Sequence, residues 1–144
     1  MNPETLFSIC SFLVLPGWLL LIVAPRWKGT ERLINSCLIP LLLAAIYLYL
    51  IVMHFGKTEG GFGSLAEVAK LFQNPHALLA GWIHYLAFDL FVGSWEARDA
   101  RRLGINHLFV IPALILTFLL GPIGLLLYFI LRVSLRRKFF VEES

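Results

Sequence analysis

At 144 residues, 59% apolar and 15% charged, with a mean hydropathy of +0.82, the chain is too apolar for a soluble domain, where about 45–50% of residues are apolar and about 25% charged. The length holds about four segments of roughly 20 residues, so the expected fold is all-α: a single domain over residues 1–144, built as an integral membrane bundle of four transmembrane helices. The net charge of +3 does not indicate a nucleic-acid partner, because the cations gather at helix ends, where they meet lipid headgroups. Cys10 and Cys37 fall inside expected spans and show neither a disulfide framework nor zinc spacing.

The first span covers about residues 6–24. A secretory leader would open on basic residues and carry a shorter apolar run, whereas this chain opens on Asn2, Pro3 and Glu4. Pro16-Gly17 predicts a kink or looser packing that neighbouring helices can compensate. Pro25-Arg26-Trp27-Lys28 closes the span with a stop signal, an interfacial indole and two cations. The second span covers about residues 33–54, with Pro40 in its first third, Tyr47 and Tyr49 toward the far interface, and His54 as a wet interfacial histidine.

Residues 55–74 form the longest connection. Its glycines, Gly56, Gly60, Gly61 and Gly63, predict flexibility; Ser64 and Glu67 then read as a capping box. They start a short amphipathic helix over about residues 65–72, between the second and third spans, that lies on the membrane surface or lids the bundle. Asn74-Pro75 opens the third span, about residues 75–97, with proline at the first helical position. The fourth is expected over about residues 107–132, interrupted by Pro112 and by Gly121-Pro122-Ile123-Gly124, and a basic tail follows over residues 133–144. Four crossings put six Lys/Arg on each side, Arg132 and the tail with Lys57 and Lys70. The positive-inside rule is then a tie.

The third span carries the chemistry. A charged side chain at the bilayer centre costs about 2.5–3.5 kcal/mol on insertion scales, so an intramembrane ionisable residue is a functional candidate. At about 100° per residue, Trp82, Tyr85, Asp89 and Glu96 fall in a sector of roughly 60°, while His84 points roughly 140° away from Asp89. Both His84 and Asp89 lie within roughly 5 Å of mid-helix at a rise of about 1.5 Å per residue. Gly81 admits a close neighbour or ligand. Glu96 and Asp99, beside Trp95 and Arg98 at the helix end, read as solvated and locally paired. Asp89 and His84 otherwise read as a hydrogen-bond network joining helices. His76 and His107 stand near helix starts and read as interfacial. A metal or haem site could gather His54, His84, Asp89 and His107, but no tight ligand motif is present, and no cofactor is expected.

The runs GWIHYLAFDLFVG (Gly81 to Gly93) and GPIGLLLY (Gly121 to Tyr128) resemble the neoxanthin-synthase-like (abscisic-acid-deficient-4-like) family of small membrane proteins, a likeness that extends over about residues 5–133. The compact length and the lack of a plastid transit segment suit a bacterial member, in the inner membrane. The resemblance implies isomerisation of a carotenoid 5,6-epoxide or related isoprenoid lipid to an allenic alcohol. On that chemistry Asp89 is the candidate acid, His84 the candidate base, and Trp82, Tyr85, Phe88 and Gly81 the surfaces for a polyene end ring. The competing readings are a non-catalytic lipid- or pigment-binding protein and a metal- or haem-binding bundle. The expected partners are the lipid bilayer and a hydrophobic small molecule, and the chain is compatible with a homo-oligomer.

Overall fold

The structure, a computed structural model, describes residues 2–54 and 56–141, apart from the side chain of Asn35; Phe55 and residues 142–144 of the expected connection and tail lie outside it. Among the described residues every regular element is helical. Helix α1 (Pro3–Val23) is capped by Asn2, whose side chain accepts from Glu4 N–H, and runs unbroken through Pro16. A one-turn α2 (Lys28–Thr30) and a π-helical turn (Glu31–Asn35) lead into α3 (Leu38–His54). Helix α4 (Leu65–Leu71) is the expected amphipathic segment, and it buries no residue. Its cap is half a capping box: Ser64 Oγ accepts from Glu67 N–H at 3.2 Å, but Glu67 Oε2 accepts from Gly63 N–H rather than from Ser64.

Helix α5 (Pro75–Arg102) is the axis of the molecule. Its 28 residues extend about 42 Å, five residues past the expected end, and it packs on α3, α1 and α6. Asn74 caps its start through His76 and Ala77 N–H. A Schellman turn ends it: Ile105 N–H donates to Ala100 O and Gly104 N–H to Arg101 O, with Gly104 at φ 64°, a conformation that favours glycine.

Among the described residues, three helical stretches are long and apolar enough to cross a membrane: Pro3–Val23, Lys28–His54 and Pro75–Arg102. The stretch expected as an interrupted fourth span is two helices, α6 (His107–Leu120) and α7 (Pro122–Arg136), hinged at Gly121. Glycine there holds φ 48°, ψ −96°, which a side chain would strain. Pro122 starts α7 with its fixed φ and missing N–H, a proline effect that breaks a helix rather than bending it. The second helix then folds back on the first. A methyl group built on Gly124 would overlap the backbone N and Oγ1 of Thr117, seven residues earlier; in one continuous helix those positions would be about 10 Å apart. Contacts along α5 trace the same path. Gly121 abuts Asp89, Tyr128 and Arg132 bond Asp99, and Arg136 donates to Gly104 O. The pair is therefore a hairpin whose tip rests at mid-α5 and whose two ends lie at the Arg102 end. At about 21 Å for α6, neither arm reaches across the roughly 30 Å of a hydrocarbon core.

Closing this hairpin needs glycine at position 124. Replacing Gly124 with Ala is expected to lower the thermal unfolding midpoint of the detergent-solubilised protein by several degrees, while Leu126→Ala, on the exposed face of α7, leaves it nearly unchanged. Equal midpoints for the two variants would refute the tight hairpin.

Candidate functional site

The spacing along α5 sorts its side chains onto two sides. On one, the rings of Trp82 and Tyr85 stack at 5.2 Å, Trp82 Nε1–H donates to Ser11 Oγ of α1 at 3.0 Å, and the Tyr85 hydroxyl donates to the Phe118 carbonyl at 2.9 Å. That carbonyl lies near the end of α6, among the acceptors a helix leaves unsatisfied at its C-terminus. One turn further on, Asp89 meets the hairpin tip: a methyl group at Gly121 would stand 2.9 Å from its Oδ1 and 3.1 Å from its Oδ2. Only glycine there lets the carboxyl sit against the tip. Asp89 Oδ2 is buried and has no hydrogen-bond partner among the described residues.

Between α1, α5 and the end of α6 lies an apolar cavity of about 250 Å³, walled by Phe12, Leu15, Trp82, Tyr85, Phe118 and Leu119, with Ser11 among its few polar groups. It lies at the tip of the hairpin, on the side of the bundle away from the basic end. Tyr85 lines this cavity, and Asp89, one turn further along α5, does not.

The other candidates face elsewhere. His84 is exposed and stacks on Phe88 at 4.5 Å, with Tyr47 of α3 at 5.9 Å. Phe88 is itself exposed. Gly81 packs against Phe72, beyond α4. Asp89, Tyr85 and Trp82 are thus brought together, and His84, Phe88 and Gly81 are not added to them. The proposed metal grouping also disperses. His54 stacks on His76 at 3.9 Å, His107 Nε2 bonds the Ile22 carbonyl at 2.9 Å, and among the described residues no three His, Cys, Asp or Glu side chains are placed to hold an ion.

The expectation that Glu96 and Asp99 are solvated is overturned. Glu96 is 0% exposed and Asp99 4%, and Thr117, Tyr128 and Arg132 are fully buried around them. Asp99 Oδ2 accepts from Arg132 Nε at 2.8 Å and from the Tyr128 hydroxyl at 2.5 Å; its Oδ1 accepts from Arg102 at 2.8 Å. Arg132 also donates to Lys138 O at 2.7 Å. The Thr117 hydroxyl lies 3.0 and 3.1 Å from the two Glu96 oxygens. Arg132, expected at the end of the fourth span beside the basic tail, is therefore a core residue. The missed signal was its spacing: Gly121, Gly124, Tyr128 and Arg132 recur at three and four residues, which is one helical face.

The ABA DEFICIENT 4-like family model matches residues 5–128. Protein ABA DEFICIENT 4, chloroplastic, from Arabidopsis thaliana is 24% identical over 144 residues, an alignment covering 94% of this chain and 64% of the relative. The chain thus spans just under two thirds of that protein's length. No solved structure matches.

Removing one partner of a buried ion pair leaves the other charge uncompensated, at a cost of about 3–5 kcal/mol. Arg132→Met is expected to destabilise the protein by that order, and Asp99→Asn by a similar amount. Combining them should recover much of the loss in chemical denaturation of the detergent-solubilised protein. Strictly additive losses would show that the pair does not act as a unit.

Proposed function

We propose, on the premise that this chain belongs to the ABA DEFICIENT 4-like family, that it is a membrane-embedded isomerase acting on a carotenoid epoxide or a related isoprenoid lipid. The observation that carries the reading is the apolar cavity ending on Tyr85, with the unpartnered buried oxygen of Asp89 one turn further along α5. An end ring is apolar and bulky, and the stacked Trp82–Tyr85 pair suits it. A cavity at the hairpin tip, between α1 and α5, would be entered sideways from the bilayer, as a long polyene requires.

The chemistry needs one proton delivered and one removed. A proton placed on the epoxide oxygen lets its bond to ring carbon break; loss of a proton from the neighbouring polyene carbon then forms the allene. Atoms and charge balance without redox change. Asp89 is assigned the first step. Because the proton count returns to zero, the carboxylate left behind is also a competent acceptor for the second, with the Tyr85 hydroxyl as the contact between carboxyl and ligand. His84 was the candidate base from sequence; its stacking on Phe88 and its position toward Tyr47 support a packing role instead.

For the bilayer we propose three crossings, by α1, by the stretch from α2 through α3, and by α5, with α6–α7 as a re-entrant hairpin. Both ends of that hairpin then return to the side on which α5 ends. Every Lys and Arg except Lys57 and Lys70 falls on that side, so the tie of a four-crossing bundle disappears and the positive-inside rule makes that side cytoplasmic.

In detergent or vesicle assays with a carotenoid 5,6-epoxide, Asp89→Asn is expected to lose at least about 100-fold in isomerised product, the lower range for positioned acid–base groups. His84→Ala is expected to stay within a few-fold of wild type. Turnover by Asp89→Asn at the wild-type rate would overturn the assignment, and a copurifying polyene without turnover would favour a non-catalytic pigment binder. For orientation, with Cys10 and Cys37 replaced by Ala, a membrane-impermeant thiol reagent should label Arg26→Cys and Arg137→Cys from one side and Lys57→Cys from the other. Labelling of Arg137→Cys together with Lys57→Cys would restore a fourth crossing.

A further inference from the structure

At the basic end of the bundle lies a second, larger space, separate from the α5 stripe. A cavity of about 570 Å³ opens between the α1–α2 loop and the α5–α6 turn, with Arg26, Trp27, Arg101 and His107 among its polar and aromatic groups and Val23 and Ile105 among its apolar ones. Its frame is set by local hydrogen bonds. The Schellman turn at Gly104 and the Asn106 side chain, which caps Leu108 N–H at 3.0 Å, fix one wall. His107 Nε2, held to the Ile22 carbonyl, ties that wall to α1. Arg101 reaches Glu31 at 2.9 Å in a pair that is 42% and 48% exposed, whereas Arg26 makes no ion pair among the described residues. Two guanidinium groups and an indole therefore face one space beside a single carboxylate.

We infer that this cavity binds the phosphate of an anionic phospholipid headgroup. Guanidinium groups take phosphate oxygens in charge-assisted, often bidentate hydrogen bonds, and basic pockets between helices on the cytoplasmic side are suited to anionic headgroups. Trp27, exposed in the α1–α2 connection, lies where an indole favours the headgroup level. Inorganic phosphate would meet the same cations. The lipid is the better match, because Val23 and Ile105 give the cavity an apolar flank on the helix side for glycerol and the first acyl carbons, and free phosphate has no use for it. The Arg101–Glu31 pair is the competitor: a phosphate must share Arg101 with the carboxylate, so Glu31 weakens the site it borders.

The test uses the full chain in a neutral detergent, following thermal unfolding with added dioleoylphosphatidylglycerol, dioleoylphosphatidylcholine or inorganic phosphate. Phosphatidylglycerol is expected to raise the midpoint, and the other two at equal concentration are not. Arg26→Gln and Arg101→Gln should each raise the half-saturating phosphatidylglycerol roughly fivefold, the weight of one cation near an anionic surface. Arg26→Lys should recover part of that loss, Lys57→Gln at the opposite end should change nothing, and Glu31→Gln should tighten binding, which a purely structural ion pair would not do. Losing an exposed pair costs little, so these variants fold. Equal stabilisation by phosphatidylcholine, full stabilisation by inorganic phosphate alone, or wild-type phosphatidylglycerol binding by both Gln variants would each overturn the inference.

Discussion

A guanidinium with no access to solvent has to be matched where it lies. Arg132 donates through Nε to Asp99 and through a terminal nitrogen to the Lys138 carbonyl, and Asp99 in turn accepts from Tyr128 and Arg102. This cluster joins α7 to α5 at a point where hydrophobic packing alone would allow the helix to slide or rotate. Dispersion and burial are not directional; the bonds that Asp99 Oδ2 accepts from Arg132 Nε and from the Tyr128 hydroxyl are. Once Asp99 and Arg132 are paired, α7 has one register, Gly124 is brought against Thr117, and the hairpin tip is delivered to Asp89. Such a pair need not add net stability relative to an apolar isostere. What it adds here is position.

The length of the hairpin is the second constraint. Because α6 stops after 14 residues, the bundle is complete at its basic end and lacks an element at the other. The gap is bounded by α1, α5 and the last turn of α6, and it is lined by Phe12, Leu15, Trp82 and Leu119 rather than filled. A fourth helix running straight through would have occupied this space. The interruption at Gly121-Pro122 therefore makes the cavity as well as the turn, and the strain-tolerant glycine at the tip is also the residue that lets Asp89 approach.

Much of this was legible in the residues. The all-helical, membrane-suited character, the cap at Ser64, the proline start of α5 and the stripe of Trp82, Tyr85 and Asp89 all follow from local rules of period, capping and composition, and the family is readable from the two motif runs. What was not legible depends on where helices lie beside one another. Gly121-Pro122 in an apolar run reads equally as a kink in a spanning helix or as the tip of a hairpin, because both relieve the same missing N–H. That choice decided the rest. With four straight crossings, Glu96 and Asp99 end up at a wet interface; with a hairpin, the returning helix covers them and brings Arg132 along. The burial of two carboxylates was invisible because their cover comes from a segment more than 20 residues away. His84 faces away from Asp89 for a simpler reason: the offset of about 140° along one helix separates them, and His84 stacks on Phe88 toward Tyr47 of α3.

The three carboxylates of α5 form a gradient. Asp99, nearest the basic end, has two arginines and a phenol. Glu96, about one turn inward, is met by the Thr117 hydroxyl and makes no ion pair among the described residues. Asp89, a further two turns on, keeps one buried oxygen without a partner. Compensation thus falls in the direction in which the cost of an uncompensated charge rises. Packing needs do not explain that order, since an apolar side chain at position 89 would satisfy the tip at Gly121 more cheaply. The fold instead spends its strongest ionic contacts at one end of α5 and leaves a buried carboxylate oxygen without a partner at the tip of the hairpin. A network meant only to hold helices together would have been satisfied throughout; among the described residues this one leaves Asp89 Oδ2 open, at the hairpin tip.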